Sequence, residues 1–355
     1  MVHMNKKTEH RKTPAPKVTM TDVARRAGCS QSTVSVVLNQ SPNIRISEET
    51  KNRVLQSARE LGYKWRDTRR PRSDREQTPH IAIIFDRIGT SPEAAVSIDG
   101  VCQTAWAAGY MVTVYQTLDD EELEARTISH VLSQDVGAIL YARIMTREVR
   151  LPEALRLANV PVVLLNCYAQ ERVFPTVVPG EAAGGHRATD VLIKAGHRRI
   201  AIITGEMWMD ASKARLQGYR RALATADIPF DPELVRDGNW QTSAGYENTH
   251  ALLDLPSPPT GIFCSNDRMA VGCYQALKER GLRIPDDISV VGYDDEEVAR
   301  HLAPQLTTLI LPHREMGTWA SEYVTSDIVS EQERNILLKM ECVLVERDSV
   351  APPRA

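Results

Sequence analysis

The chain has 355 residues, is 42% hydrophobic and 25% charged, and carries a formal net charge of −3. That is enough apolar content for two or three packed units, and it excludes a disordered or fibrous polymer. The small net charge hides a polarity: residues 1–79 hold 17 Lys and Arg against 8 Asp and Glu, the remainder 26 against 38. A basic head on an acidic body points to a polyanion partner for the head alone. The six cysteines are scattered, with no CxxC pair and no His at ligand spacing, so no metal or other cofactor is expected. No run of about 18 apolar residues occurs, and the basic N-terminus lacks a signal-peptide core, so a cytoplasmic protein is expected.

In chain order, residues 1–17 are polar, basic and Pro-containing, the composition of a disordered basic arm. Residues 18–64 show three short helical bursts, at Thr21–Ala27, Gln31–Leu38 and Glu48–Leu61. Gly28 ends the first, Ser30 can cap the second, and Ser47 with Glu48 and Glu49 opens the third. Val23, Ala27, Val34, Val37, Leu38, Val54, Leu55 and Leu61 supply one small core. Residues 65–79, rich in Arg and interrupted by Pro71, read as a hinge or linker.

From residue 80 to 355 short Val/Ile-rich runs alternate with helix-length segments: Ile81–Phe85, Met111–Tyr115, Ala138–Tyr141, Pro161–Leu165, Ile200–Thr204, Gly261–Cys264 and Ile288–Gly292. Such runs are parallel strands buried on both faces. The predicted fold class is therefore α/β: a small all-α helix-turn-helix head on a two-lobed body of two doubly wound parallel sheets. The first lobe is expected over about 80–179 and 312–332, the second over about 180–311 and 333–355. Ligands in such folds sit beyond the carboxyl ends of the strands, so the residues after each apolar run are the candidates.

In the head, two short helices joined at Gly28 can set the second into a major groove, N-terminus first. Gln31 and Ser32 would then face base edges, and Val36 a thymine methyl. Thr19, Ser30, Thr33, Ser35 and Asn39 are short hydrogen-bonding side chains suited to phosphate oxygens. The expected partner is duplex DNA.

The stretches Val18 to Ser30, Ser32 to Asn39, Ile46 to Leu55 and Leu61-Gly-Tyr63 resemble the head of the LacI/GalR family of bacterial transcriptional regulators. Further likeness lies at Ala195-Gly-His-Arg-Arg-Ile-Ala, Ala214 to Tyr219, Phe263 to Asp267, Ile284 to Asp295 and Leu306-Thr-Thr308 with Met316-Gly317. The resemblance spans nearly all of the chain from Val18. It implies a repressor of carbohydrate-utilisation genes released by a small-molecule effector of sugar-like chemistry. Because one head buries too little surface to hold a site tightly, a homodimer on a palindromic operator is expected. The chain departs from the family pattern where a hinge helix normally carries an Ala and a Leu. Pro71 and Arg72 stand there, so Arg69 and Arg72 are expected to lie in the minor groove without wedging it. Val36 replaces an Arg common in the family.

Asn266, Asp294 and Arg215 follow or flank apolar runs, and the resemblance implies that they hold the effector. An amide, a carboxylate and a guanidinium together suit a polyhydroxyl ligand. Trp240 resembles the aromatic that stacks on a sugar face in family members, with Trp208 a second candidate. Asp86 and Arg87, after the first strand, are expected to line the cleft from the other lobe. Leu311 stands where many members have a Gln. A nucleotide-dependent or hydrolytic α/β enzyme is disfavoured, since no Gly-rich phosphate loop, nucleophile elbow or metal cluster occurs. A non-regulatory sugar-binding protein and a regulator with a purine or other metabolite as corepressor are the alternatives.

Overall fold

The computed structural model describes residues 20–38, 46–61, 78–89, 92–326 and 335–354. The chain divides into two compact units, residues 1–77 and 78–355. The expected basic arm and most of the linker, with Arg69 and Arg72, lie outside the described residues, as do Thr19 and Asn39.

The first unit holds α1 (Met20–Ala27), α2 (Gln31–Leu38) and α3 (Glu48–Glu60). Gly28 takes φ +62°, a left-handed value that glycine adopts without cost, and turns the chain between α1 and α2. The Ser30 hydroxyl accepts from Thr33 N at 3.0 Å and the Ser47 hydroxyl from Thr50 N at 3.3 Å, so the expected caps are in place. Val23, Ala24, Ala27, Val34, Val37, Val54 and Ala58 form the buried core, with Leu55 and Leu61 packed half-buried against it. The side chain of Leu38, also expected in this core, lies outside the described residues. Arg53 ties α3 to α1 by donating from Nε to the Ala27 carbonyl at 3.2 Å.

The second unit begins with β1 (His80–Phe85), α4 (Pro92–Ala108), β2 (Met111–Gln116), α5 (Glu121–Ser133), β3 (Val136–Glu148), α6 (Glu153–Arg156), β4 (Val162–Tyr168) and β5 (Thr176–Pro179). The chain then crosses to the second lobe, which holds α7 (Glu181–Lys194), β6 (Ile200–Thr204), α8 (Asp210–Thr225), β7 (Val235–Asp237), α9 (Thr242–Leu253), β8 (Gly261–Cys264), α10 (Asp267–Glu279), β9 (Ser289–Val291) and β10 (Thr308–Leu309). It returns in α11 (His313–Thr325), which packs on α4, and β11 (Leu337–Met340), which pairs with β5. Finally β12 (Leu344–Val345) joins β10 antiparallel. Because β11 completes the first sheet, the last crossing falls after Met340 and not at the expected 332/333 boundary.

The first sheet runs β11-β5-β4-β3-β1-β2 and the second β7-β6-β8-β9, with every pair parallel. Alternation along the strands fills both faces. Ile81, Ile83 and Phe85 of β1 enter one core with α4 and α11, whereas Ala82 and Ile84 enter the other beneath α5. Ala201 and Ile203 of β6 likewise oppose Ile200 and Ile202. Such strands carry no period-two polarity, which is why they read as plain apolar runs in the sequence.

Three helix pairs meet through reciprocal glycines. A Cβ on Gly185 of α7 would stand 2.3 Å from the Arg215 carbonyl oxygen, and one on Gly218 of α8 would stand 2.2 Å from that of Ala182. Gly100 and Gly317 join α4 to α11 in the same way, and Gly245 and Gly272 join α9 to α10. Of the three, the α7–α8 crossing is the one that sets Arg215 against Glu181. Gly218→Ala must push two helix backbones apart and is expected to destabilise the protein by roughly 1–3 kcal/mol, read from the urea midpoint. An unchanged midpoint would show that the crossing yields freely.

Candidate effector site and DNA-binding head

The C-terminal ends of β6, β7, β8 and β9 converge on one spot. Arg215, one turn into α8 after β6, is 3% exposed. Its guanidinium is bound by both oxygens of Glu181, at 2.7 and 3.0 Å, and donates to the Ser265 carbonyl. It stacks 3.7 Å above the Tyr293 ring and lies 5.5 Å from the Trp240 ring centroid. A planar fork held on one edge by a carboxylate and on one face by a ring has its direction fixed before any ligand arrives.

Asp294 follows β9. Its amide donates to the Leu309 carbonyl at 2.8 Å and its φ is +107°, an unusual value for a non-glycine residue. The carboxylate stands 3.7 Å from an Arg215 nitrogen, and its Oδ1 is buried without a hydrogen-bond partner. Burial pushes its pKa well up, against the pull of Arg215, with Glu93 and Asp267 adding to the rise.

Asn266 caps α10, accepting from Met269 N at 2.9 Å, and donates at 3.0 Å to the Trp240 carbonyl. That bond secures a Trp240 backbone at φ +67°. The indole lies against Gly205, where a Cβ would come within 1.9 Å of the ring, and its Nε1 donates to Met209 sulfur at 3.0 Å. Arg215, Trp240, Asn266 and Asp294 are thus brought together.

The other lobe behaves differently. Asp86 is 2% exposed and accepts from the amides of Arg87 and Ile144 at 2.8 and 2.9 Å and from Arg147 at 3.0 Å. Its oxygens are committed to fixing the loop after β1, and burial raises its pKa despite those bonds. Arg87 is exposed and points its guanidinium at the Leu118 carbonyl and Asp119. The structure does not bring either residue to the four above. Trp208 is 61% exposed and outside that group as well, and Leu311 packs half-buried on the second-lobe core.

Three contributors were not read from the sequence. Glu181, 6% exposed at the first turn of α7, looks like an ordinary helix-start acid. Glu93, in the first turn of α4, offers an oxygen within 4.8 Å of oxygens from both Asp294 and Glu296. His313 opens α11, is 4% exposed, and has its pKa held at about 4 by burial. Between the lobes, the Tyr168 hydroxyl donates to Asp210 at 2.8 Å.

In the head, Gln31 is exposed on the first turn of α2, and the Ser30 hydroxyl is shared with Thr33 at 2.8 Å. Ser32, Ser35 and Val36 lie on α2, but their side chains are outside the described residues.

The helix-turn-helix and the paired lobes have matching counterparts among known proteins. Residues 19–65 match the profile of bacterial regulatory proteins, lacI family, and residues 189–350 that of a periplasmic binding protein-like domain. The ribose operon repressor of Haemophilus influenzae is 34% identical over 92% of this chain and 98% of its own length. The chain belongs to the LacI family. Among solved structures, this LacI-family regulator resembles a CelR–cellobiose complex, at 29% identity and TM-score 0.65 over 94% of this chain and 99% of that one. It also resembles the lac repressor dimer bound to operator, at 25% identity and TM-score 0.63 over 95% and 100%. As a member of the family it is a DNA-binding transcriptional regulator. Among the described residues no helix is long and apolar enough to cross a membrane.

Beside the site, Asp267 accepts from Thr308 Oγ1 at 2.6 Å and from Glu296 N at 2.8 Å. Burial nevertheless raises its pKa to about 7, helped by Glu296 and Asp295. A carboxyl raised above its unfolded value favours the folded state while it keeps its proton, and that advantage is lost as pH climbs from about 4 to about 7. Asp267→Asn, which never ionises, should therefore gain melting temperature relative to the parent protein over that window. A difference independent of pH would show that Asp267 is charged throughout.

Proposed function

We propose that the protein is a homodimeric, non-catalytic cytoplasmic repressor whose operator affinity is lowered by a sugar-like effector bound between the lobes. The observation that carries the reading is the convergence of Arg215, Asp294, Asn266 and Trp240 beyond the strand ends. The similarity to a ribose operon repressor and to a cellobiose-bound regulator supports the ligand class. Each residue has a role set by its present bonds. Arg215 and Asp294 supply a donor and an acceptor for adjacent hydroxyls, Trp240 an apolar face, and Asn266 keeps the Trp240 loop in position.

The lobes are joined by three chain crossings, near residues 180, 312 and 341, and a ligand touching both lobes shifts their equilibrium toward closure. In a two-fold dimer that shift changes how well two heads fit two half-sites one helical turn apart. Gln31, exposed at the start of α2, is the base-reading side chain we assign, with Ser30 and Thr33 against phosphate. Asp86 and Arg87 act at the cleft through the loop they brace.

The test is operator binding by the full-length protein with and without ligand. Effector should weaken binding at least tenfold, and Asp294→Ala should abolish that response while leaving operator affinity without ligand within about twofold of the parent protein. A normal response in Asp294→Ala at the same ligand concentration would refute the pocket. Gln31→Ala should narrow the gap between operator and random duplex by about 1–3 kcal/mol, and an unchanged gap would move base reading elsewhere on α2.

A further inference from the structure

The cleft gathers more carboxyl groups than a neutral polyol requires. Glu93, from the first lobe, meets Asp294 and Glu296, from the second, with an oxygen from each within 4.8 Å of the others. Each also has one oxygen buried without a hydrogen-bond partner: Glu93 Oε2, Asp294 Oδ1 and Glu296 Oε1. Two cations stand near. Arg215 is 3.7 Å from Asp294 Oδ1 but is already held by both oxygens of Glu181. Arg268 Nε is 3.0 Å from Glu296 Oε1 without hydrogen-bond geometry. Asp267 adjoins the group, accepting from Glu296 N at 2.8 Å, and helps to raise the Asp294 pKa.

An independent observation marks the same spot. His313, 4% exposed on α11, has an Nδ1 with no hydrogen-bond partner, and its strongest charged neighbour is Glu93, followed by Glu181 and Arg215. Burial keeps that ring neutral, so it can accept from a donor and does not itself supply the missing positive charge.

The geometry points to an effector that carries a primary ammonium group, seated between Glu93, Asp294 and Glu296. This assignment rests on the cleft being the effector site. A hydroxyl donates one hydrogen, so a neutral sugar needs three separate hydroxyls for acceptors gathered this closely. An alkylammonium donates three from one atom. Acceptors placed about 2.8 Å from a tetrahedral nitrogen stand about 4.6 Å apart, which fits within the spacing here. A divalent metal would sit close to two guanidinium groups, and its second charge is unfavourable there. The ligand class is thus an amino sugar or other amine-bearing polyol. Glu93 makes recognition depend on closure, because its carboxylate comes from the lobe opposite the other two.

The test uses full-length protein in EDTA at pH 7.5 and matched pairs of probes. The pairs are D-glucosamine with D-glucose and N-acetyl-D-glucosamine, D-galactosamine with D-galactose, glucamine with sorbitol, and 2-amino-1,3-propanediol with glycerol. Melting temperature and calorimetry are the readouts. At least one amine should raise the melting temperature and bind tenfold or more tightly than its neutral partner. Glu93→Gln, and independently Glu296→Gln, should cut that preference below threefold. The assignment is overturned if no amine raises the melting temperature, if neutral partners bind as tightly, or if Ca²⁺ or Mg²⁺ alone gives the same shift without EDTA. Neutral sugars binding where amines do not would leave the sensor reading standing and remove only the ammonium. No response to any probe would remove both.

Discussion

The buried pair of Arg215 and Glu181 is the constraint on which the candidate site depends. Both groups lose their water, and two hydrogen bonds in a fixed plane offset that loss only because the α7–α8 crossing presents them at the right separation. Deleting either partner would leave a buried charge alone, at a cost of about 3–5 kcal/mol. Glu181 is the first helical residue after the chain enters the second lobe. The same bond therefore orients the guanidinium proposed to meet the ligand and anchors a crossing between lobes, so the geometry of the candidate site and that of the lobes share one piece of structure.

Around that pair the site is built from strained but well-held backbone. Trp240 and Asp294 both take positive φ, and each is fixed by a neighbour: the Asn266 amide for Trp240 and the Leu309 carbonyl for Asp294. Such conformations persist where the surroundings over-determine them. Burial also raises the pKa of the rim acids Asp267, Asp294 and Glu296. The second lobe is thus shaped in advance, whereas the first lobe contributes Glu93 from a helix start and keeps Asp86 occupied in its own loop.

Much of this was legible in the sequence, for identifiable reasons. Helix boundaries in the head follow Ser30, Ser47 and Gly28, which act through local geometry alone. The longer strands could be read because parallel strands covered on both sides must be apolar throughout. The missed strands, β5, β7, β10, β11 and β12, are two to four residues long and, unlike the equally short β8 and β9, have polar residues or Pro within or beside them that break the apolar run. Arg215, Asn266 and Asp294 stood out through motif and position. Glu93, Glu181 and His313 did not, because a helix-start acid or histidine acquires meaning only when distant segments face it. The misplaced last crossing has the same origin: β11 belongs to the first sheet through its partner β5, a pairing across more than a hundred and fifty residues.

The six glycines at the helix crossings limit how the molecule can change over time. Each has a carbonyl oxygen of the opposite helix where a Cβ would have to go, and its counterpart is already the smallest residue available. A second substitution therefore has no volume to give back, and the usual compensation of large for small across a contact is closed at these points. Loops, rims and surface faces can drift toward new ligands or operators, while the three crossings that carry them stay as they are.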